Sequence, residues 1–358
     1  MSDQTFTSRR RLLQAAGASA ALTTVAGCIG GGDGDSITYV SRGGSTQDAE
    51  RELFEQWSEE SGVTVEHQEV ADDTEMMNMI AENPGEIDFT NPASWGFTVD
   101  QFEHDGELLA DLDYGEVPNY MDLIDDPWHD APFLQGHDKG MFYYISTQGL
   151  AYNTERADDV TSWHDVKDEA YEDEVAMFDS GPARFGNCAA TLGYDPAAAA
   201  SDENLFEDVL DEMAEQDVNV FTYWSTGDEI MRLLREEAAT LASAWGGRVQ
   251  VLQDDGHPVE YIIPDEGCVT WSTGFAIAEE SENKDLVYDL LNWVYQEENL
   301  VELNTSTKYP TPIENPPEEI TSLGDYTEHP DDLAWIDFTA LLPRFEELEQ
   351  ELAEIQTS

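Results

Sequence analysis

Histidine, cysteine and serine, the side chains that most often carry catalysis or hold a metal, form no recognisable constellation in this sequence. The chain has seven histidines and three cysteines among 358 residues. It lacks the His-Glu-x-x-His and Cys-x-x-Cys patterns of zinc sites, a Gly-rich phosphate loop and a Gly-x-Ser-x-Gly nucleophile turn. With 78 acidic residues, carboxylate pairs at glycosidase spacing are expected by chance. The residues give no positive case for an enzyme, a metal site or a cofactor.

Cys28 is the cysteine whose neighbours predict a chemical role. The segment 8–14 reads Ser-Arg-Arg-Arg-Leu-Leu-Gln, typical of a twin-arginine export signal, and small and apolar residues follow. That apolar run is too short for a transmembrane helix, which needs about 20 residues. Val-Ala-Gly-Cys at 25–28 resembles the lipobox of bacterial-type lipoproteins. We predict a signal peptide over 1–27 and, over 28–35, a lipid-anchored Cys28 with a flexible Gly-rich linker. A plain cleaved signal with an incidental cysteine is the alternative.

The charge balance bounds where the protein works and what it contacts. The net charge is −63, and the acidic residues are spread along the whole chain. Such a chain repels itself unless salt screens it, and at 1 M salt the Debye length is only ~3 Å. A hydrophobic content of 40% with nine tryptophans excludes a disordered acidic tail. We predict a globular protein of haloarchaeal type that works in very high salt; an acidic surface that captures cations is the alternative. Nucleic acid is excluded as a partner, because the chain has no basic patch.

Two further features have a chemical and a purely structural interpretation. Cys188 and Cys268 could form a disulfide outside the cell, or they could be two small buried residues. Asn304-Thr305-Ser306 is an N-glycosylation triplet, which an exported protein could use but which also arises by chance.

Strands and helices alternate along the mature chain. An apolar strand at 37–40 precedes an amphipathic helix at about 46–61, which Gly62 ends. This alternation continues and is typical of an α/β fold with a largely parallel sheet. Towards the C-terminus we predict one strand over 270–278 and one helix over about 331–355.

Several segments resemble the spermidine/putrescine-binding proteins of ABC importers in their order and spacing, over roughly residues 36–355. The matching segments are Asp158–Asp165, Leu192–Tyr194, Ala244-Trp245, Ile263–Gly267 with Trp271 shortly after, and Tyr309–Pro312. The resemblance implies a periplasmic-binding-protein-like α/β fold, in which two α/β lobes enclose a ligand cleft and close by a hinge motion. We place lobe 1 at 36–146 plus 274–358 and lobe 2 at 147–273.

The resemblance also implies aromatic residues in the cleft, since this family grips a diamine between aromatic rings and carboxylates. An ammonium group over a tryptophan or tyrosine ring gains about 0.5–2 kcal/mol. Trp245 and Trp271 match the family's cleft tryptophans, and Trp95 and Tyr309 fall at two other aromatic positions. Each of the four could instead belong to the core.

Most of the amine-pairing acids that the resemblance leads us to expect are missing. Shortly after Trp271, where the family usually has an aspartate, this chain has Thr273. Asp179 keeps an acid at another such position, but Arg184 follows it. After the first strand, where the family has an aromatic residue and an acid, the chain has Arg42 and two glycines.

Three of the few basic residues, Arg42, Arg184 and Arg248, thus fall at or beside the implied cleft. Guanidinium groups bind carboxylates through two parallel hydrogen bonds, although these arginines could equally pair with the abundant acids. We predict a monomeric lipid-anchored receptor, without cofactor, that delivers a small solute to a membrane ABC permease. The resemblance implies a polyamine. The alternatives are an anionic or zwitterionic solute bound by Arg42 and Arg184, or a sensory surface lipoprotein that does not take part in transport.

Overall fold

A parallel strand–helix–strand unit opens the computed structural model, which describes residues 35–129, 131 and 138–357. β1 (Ser36–Arg42) and β2 (Thr64–Val70) pair in parallel, and α1 (Ser45–Ser61) crosses between them. Leu53, Phe54 and Trp57 recur on one face of α1 and are buried against the sheet. Gly62 ends the helix with a φ of 80°, a conformation that glycine adopts without strain. The predicted signal peptide and Cys28 lie outside the described residues.

The first sheet in the described part of the chain has the strand order β2-β1-β3-β11-β4. β3 (Phe89–Thr90) is parallel to β1. β11 (Thr273–Ile277) is antiparallel to both β3 and β4 (Met141–Tyr144). An interior position of this sheet, between β3 and β4, is therefore filled by a strand that comes more than a hundred residues after β4.

The second sheet has the order β12-β10-β5-β8-β6-β7 among the described residues, with β9 also paired to β5. Its strands are β5 (Thr147–Asn153), β6 (Val175–Phe178), β7 (Val220–Trp224), β8 (Leu241–Trp245), β9 (Val259–Ile262), β10 (Val269–Thr270) and β12 (Ala334–Trp335). β6 is parallel to β7 and β8, whereas β5 is antiparallel to β8, β9 and β10.

Helices cover both sheets and bury a separate apolar cluster with each, which includes Tyr39, Phe89 and Phe275 in the first and Phe185 and Phe206 in the second. The remaining helices are α2 (Asp73–Glu82), α3 (Ser94–Glu103), α4 (Pro118–Leu123), α5 (Asp126–His129), α6 (Gly181–Thr191), α7 (Pro196–Ser201), α8 (Glu203–Gln216), α9 (Gly227–Arg235), α10 (Gly246–Asp254), α11 (Lys284–Val294), α12 (Glu297–Thr307), α13 (Glu318–Thr321), α14 (Phe338–Leu341) and α15 (Phe345–Ile355). None of the helices in the described residues combines the length and the apolar character that a membrane crossing requires.

Two predicted elements are divided in the structure. The single strand predicted over 270–278 is wrong, because β10 belongs to the second sheet and β11 to the first, with Trp271 and Ser272 between them. The single helix predicted over 331–355 is also wrong. The segment 331–355 instead forms the strand β12 and the helices α14 and α15. Pro343 lies between the two helices, and its ring and missing N–H disfavour a continuous helix there.

The C-terminal segment joins the second sheet. β12 pairs in parallel with β10, and Leu348 and Leu352 of α15 are buried in one cluster with Phe185 and Phe206. The predicted boundaries assigned all of 274–358 to lobe 1, so they differ from this sheet membership. The division into two lobes that move against each other stays a prediction.

The structure favours the purely structural interpretation of the two cysteines and of the glycosylation triplet. Cys188 and Cys268 are buried free thiols, and burial raises the pKa of Cys188 to about 12, which keeps its thiol protonated and unreactive. Asn304 is fully buried on α12, where its side-chain amide donates to the Leu300 carbonyl at 2.8 Å. A glycan on Asn304 would require this helix to leave the core.

Candidate functional site

The chain passes between the two sheets at three places that lie side by side. The first crossing is Ile145-Ser146, between β4 and β5, and the second is Trp271-Ser272, between β10 and β11. The third runs from α12 to β12 and contains Pro310. The Ser146 carbonyl accepts from the backbone N–H of Trp271 at 3.2 Å, and the Pro310 carbonyl accepts from that of Ile145 at 2.8 Å. Side chains next to the crossings therefore meet between the sheets.

On the side of the first sheet, Arg42 at the end of β1 anchors a polar group. Its Nη1 forms an ion pair with Asp73, and its Nη2 donates to Thr273 Oγ1 at 3.1 Å. The hydroxyl of Thr273 in turn donates to the Tyr144 hydroxyl at 3.0 Å. Burial raises the pKa of Asp73, and the charge of Arg42 opposes that rise. The Arg42 guanidinium is thus a cation already paired inside the protein.

Tyr309, on the third crossing, connects this group to the second sheet. Its ring stacks on that of Tyr144 with the centroids 5.0 Å apart and 19° between the planes. The same ring lies against the first turn of α10, where a Cβ on Gly247 would stand 2.6 Å from its Cζ; glycine alone fits there. Arg248 follows and donates from Nη1 to Ser45 Oγ, at the start of α1, at 2.9 Å. The N-terminus of α10 therefore touches elements of both sheets.

On the side of the second sheet, Trp245 lies in an aromatic cluster at the end of β8. Its ring centroid is 6.2 Å from that of Trp271, with 83° between the planes. Phe178, at the end of β6, and Trp224, at the end of β7, lie 5.3 Å and 5.1 Å from Trp245. The structure therefore brings together Trp245 and Trp271 on one side, Arg42 and Thr273 on the other, and Tyr309 and Arg248 between them.

Comparison with known proteins identifies the family of this chain. The sequence profile described as "Bacterial extracellular solute-binding protein" matches residues 52–330. The chain belongs to this family. It is 24% identical over 263 residues, 73% of either chain, to the spermidine/putrescine-binding periplasmic proteins of Salmonella typhimurium strain LT2 and of Escherichia coli K12. The family is one of solute-binding receptors and not of enzymes.

Solved structures share the fold of this solute-binding protein. PotD, the spermidine/putrescine ABC transporter substrate-binding protein of Streptococcus pneumoniae, superposes with a TM-score of 0.78 at 19% identity, over 90% of this chain and 99% of PotD. AgtB of A. tumefacien R10, solved with agropinic acid, gives a TM-score of 0.67 at 17% identity, over 90% and 99% of the two chains. The Atu4243-GABA receptor gives 0.70 at 18% identity, over 90% and 98%. The predicted periplasmic-binding-protein-like α/β fold is confirmed.

Three further predicted site residues of the solute-binding protein have partners outside the group around Arg42 and Tyr309. Trp95 is the nearest of them, because its Nε1 donates to Thr74, next to Asp73, at 3.2 Å. Trp95 on α3 packs against Phe338 and Phe345, with ring centroids 5.2 Å and 6.0 Å away. Asp179 is exposed and accepts from the side chain of Gln356 at 2.6 Å.

Arg184 on α6 is buried beside the second sheet. Only 3% of its surface is exposed. It donates to the Met213 carbonyl at 2.9 Å and to the Tyr223 hydroxyl at 3.3 Å, and its Nη1 lies 3.7 Å from Asp217. Arg184 thus pairs with an acid, as the second interpretation of the arginines expected. It takes no part in the group at the crossings.

Asp325 is the charged residue at the crossings that sequence reasoning missed. It is fully buried on the third crossing, and its Oδ1 accepts from the backbone N–H of Thr147 at 2.9 Å and from the Thr147 hydroxyl. Its carboxylate lies against Gly246 so closely that a side chain there would collide with it. Burial raises the pKa of Asp325 to about 7. No motif marks this residue in a chain with 78 acidic residues.

Proposed function

We propose that this solute-binding protein is the receptor of an ABC importer, which binds a small organic solute between its two sheets and hands it to a membrane permease. The observation that carries the proposal is the convergence of Trp245 of the second sheet and Trp271 of the second crossing with Arg42 and Tyr144 of the first sheet. A solute held there contacts both predicted lobes, so binding favours their closed arrangement over an open one. The protein acts as a monomer outside the cytoplasmic membrane.

The relatives support a polyamine as the first candidate solute, because the proteins of Salmonella typhimurium and Escherichia coli are named for spermidine and putrescine. The rings of Trp245, Trp271 and Tyr309 supply faces on which an ammonium group gains energy. A buried ammonium also needs a carboxylate. Of the acids near the crossings, Asp73 is paired with Arg42. Asp325 accepts from Thr147 through Oδ1, while its buried Oδ2 has no hydrogen-bond partner among the described residues.

The pairing of Asp73 with Arg42 favours a second candidate, a zwitterionic or anionic organic solute. The position after Trp271 where the family's acid was expected carries Thr273, which already accepts from Arg42. Arg248 contributes a further positive charge next to Tyr309, and it opposes the rise in the pKa of Tyr309 that burial causes. Arg184 does not take part, because it is bonded to Met213 and lies beside Asp217.

Calorimetric titration of the mature protein in molar KCl tests the receptor proposal. We expect heat from at least one member of a panel of spermidine, putrescine, amino acids and organic anions. A cell without the gene should also take up that solute more slowly than the wild type. Binding without any change in uptake would replace the importer by a sensory surface lipoprotein, and no binding at all would contradict the receptor role.

The proposed lipid anchor on Cys28 rests on the sequence of residues 8–28. A receptor without an anchor would be lost to the medium in a cell that has no outer membrane. In the Cys28→Ser variant we expect the protein in the medium, or in its unprocessed form, while Ser19→Ala within the same signal segment leaves it on the membrane. Normal processing and membrane retention of Cys28→Ser would contradict the anchor.

A further inference from the structure

Buried hydrogen-bonding groups without partners line the wall that Trp245 forms. Gln148 of β5 is the register partner of Trp245 of β8, so the two side chains project from the same face of the sheet with their Cβ atoms about 5 Å apart. The Gln148 side chain is 1% exposed. Within the described residues, neither its Nε2 nor its Oε1 has a hydrogen-bond partner, and neither has the buried Nε1 of Trp245.

The neighbouring tryptophan shows what a structural residue does instead. Trp224, which touches Trp245, donates its Nε1–H to the Ser243 carbonyl at 3.0 Å. Trp163 likewise donates to the Gly267 carbonyl at 2.9 Å. A buried polar group left unpaired costs about 1–3 kcal/mol, and such groups are rare in folded proteins without a functional reason. Trp245 and Gln148 are therefore placed to meet a group that is not part of the chain.

The chemistry of the unpaired groups limits what that partner is. An indole Nε1–H only donates, and so does the Nε–H of an arginine. Arg248, three residues beyond Trp245, also has a buried Nε without a partner in the described residues, although its Nη1 reaches Ser45. Fully protonated putrescine and spermidine carry donors only, so a simple polyamine leaves these N–H groups unsatisfied. A carboxylate or carbonyl oxygen satisfies them.

We infer that the solute presents a hydrogen-bond acceptor, a carboxylate in the first place, to the indole N–H of Trp245 beside the Gln148 amide. This inference rests on the proposed receptor function and narrows its solute to an organic acid or an amine-bearing carboxylate. The Oε1 of Gln148 accepts from a donor of the same solute, and the ring of Trp271 packs on its apolar part. Arg248 adds a positive charge near the carboxylate.

Matched solutes of equal length test the inference with the mature protein in molar KCl. The probes are unbranched chains of three to six carbons that end in two ammonium groups, in one ammonium and one carboxylate, or in two carboxylates, together with spermidine. At the length that binds best, we expect a carboxylate-bearing member to bind at least about tenfold more tightly than the diamine, since one or two charged hydrogen bonds separate them. Preferred binding of a diamine or of spermidine would overturn the inference and leave the receptor proposal standing. No binding by any probe would overturn both.

A second measurement follows the indole N–H itself. In the ¹⁵N-tryptophan spectrum of the wild type, the Nε1–H resonance of Trp245, assigned by its loss in Trp245→Phe, should shift when the best carboxylate binds. Trp245→Phe keeps an aromatic ring but has no donor, and we expect it to bind that carboxylate about fivefold to tenfold more weakly. Trp163→Phe removes a buried indole away from the crossings and should bind as the wild type does. An unmoved resonance, or unchanged affinity of Trp245→Phe, would mean that water serves the indole, and the inference would fall.

Discussion

At the scale of single residues, Arg42 divides its guanidinium between structure and site. It pairs with Asp73 and donates to Thr273, so part of its donor capacity holds β1, α2 and β11 together. Asp73 is 6% exposed. Removal of the cation from a buried carboxylate strongly destabilises the folded protein.

The strength of this pair can be measured by a double-mutant cycle of Arg42→Gln and Asp73→Asn. Because Asp73 is buried, we expect Arg42→Gln to lower the free energy of unfolding by about 3 kcal/mol and a coupling energy of at least about 1 kcal/mol. The exposed pair Arg232 and Glu236, one helical turn apart, serves as the control and should give about 0.3 kcal/mol. Equal coupling energies in urea unfolding experiments would show that Arg42 is free for a solute.

Asp325 makes stability depend on pH with a definite sign. Burial raises the pKa of Asp325 to about 7, so the native state holds this proton more tightly than the unfolded state does. Its contribution to stability is therefore present near pH 4 and is lost as the pH rises through 7. Burial also raises the pKa of Glu50 to about 7, so the wild-type curve alone does not isolate Asp325.

The difference in unfolding free energy between the wild type and Asp325→Asn, followed as a function of pH, isolates the contribution of Asp325. Relative to the variant, the wild type should lose about 2–4 kcal/mol of unfolding free energy between pH 4 and pH 8. Urea titrations at constant molar KCl measure this, and Glu319→Gln, at an exposed position on α13, should show no such trend. A difference that stays constant with pH would mean that Asp325 is ionised throughout.

The residues that could be predicted are those with rare side chains at positions that the family resemblance specifies. Trp245, Trp271 and Tyr309 lie at the crossings, and so do Arg42 and Thr273; that they bind a solute, as the resemblance implied, stays a prediction. Arg184 does not lie there, because its partners Met213, Asp217 and Tyr223 come from later elements. No local pattern shows that such a long-range ion pair forms. Asp325 could not be predicted, because nothing in the sequence distinguishes it from the other members of a set of 78 acidic residues.

At the scale of elements, the first turn of α10 is the part that reaches both sheets. Gly246 leaves room for Asp325, Gly247 leaves room for Tyr309, and Arg248 donates to Ser45 at the start of α1. The predicted opening of two lobes would break the hydrogen bond between Arg248 and Ser45. On that prediction the bond favours the closed arrangement without adding to the stability of either lobe.

We expect Ser45→Ala to weaken solute binding by roughly fivefold, because a hydrogen bond worth about 1 kcal/mol is lost from the closed arrangement only. Titration of the best-binding solute measures it. Ser58→Ala is the matched control, since the Ser58 hydroxyl donates to the Phe54 carbonyl within the same helix. Equal affinities of the two variants would show that the Ser45 contact does not assist closure.

The alternation of strands and helices was predictable because each amphipathic segment shows its own period. The pairing of short strands was not, since β10 and β12 have only two residues each. An apolar run over 270–278 looks the same whether it forms one strand or two in different sheets. Only the partners of β10 and β11, far away in the sequence, decide that outcome.

At the scale of the whole molecule, a net charge of −63 is the dominant long-range term. The Debye length falls from about 10 Å at 0.1 M salt to about 3 Å at 1 M, so added salt removes most of the repulsion between acids on the surface. We expect the urea midpoint of unfolding to rise steeply between 0.1 M and 2 M KCl. Sucrose at matched osmolality is excluded from the surface but does not screen charge, and it should raise the midpoint much less. Equal effects of the two solutes would contradict adaptation to high salt.

Because β11 lies between β3 and β4, the first sheet can be completed only late in synthesis. β1, β2, β3 and β4 leave the ribosome early, but β3 and β4 have no neighbour between them until residue 277 has been added. The second sheet is completed later still, when β12 arrives at Trp335. A nascent chain that stops short of residue 277 exposes the edges of β3 and β4 and the apolar faces beside them, and such edges recruit other strands. Translation pauses within the long segment between β4 and β11 are therefore the moments at which this protein is most exposed to aggregation.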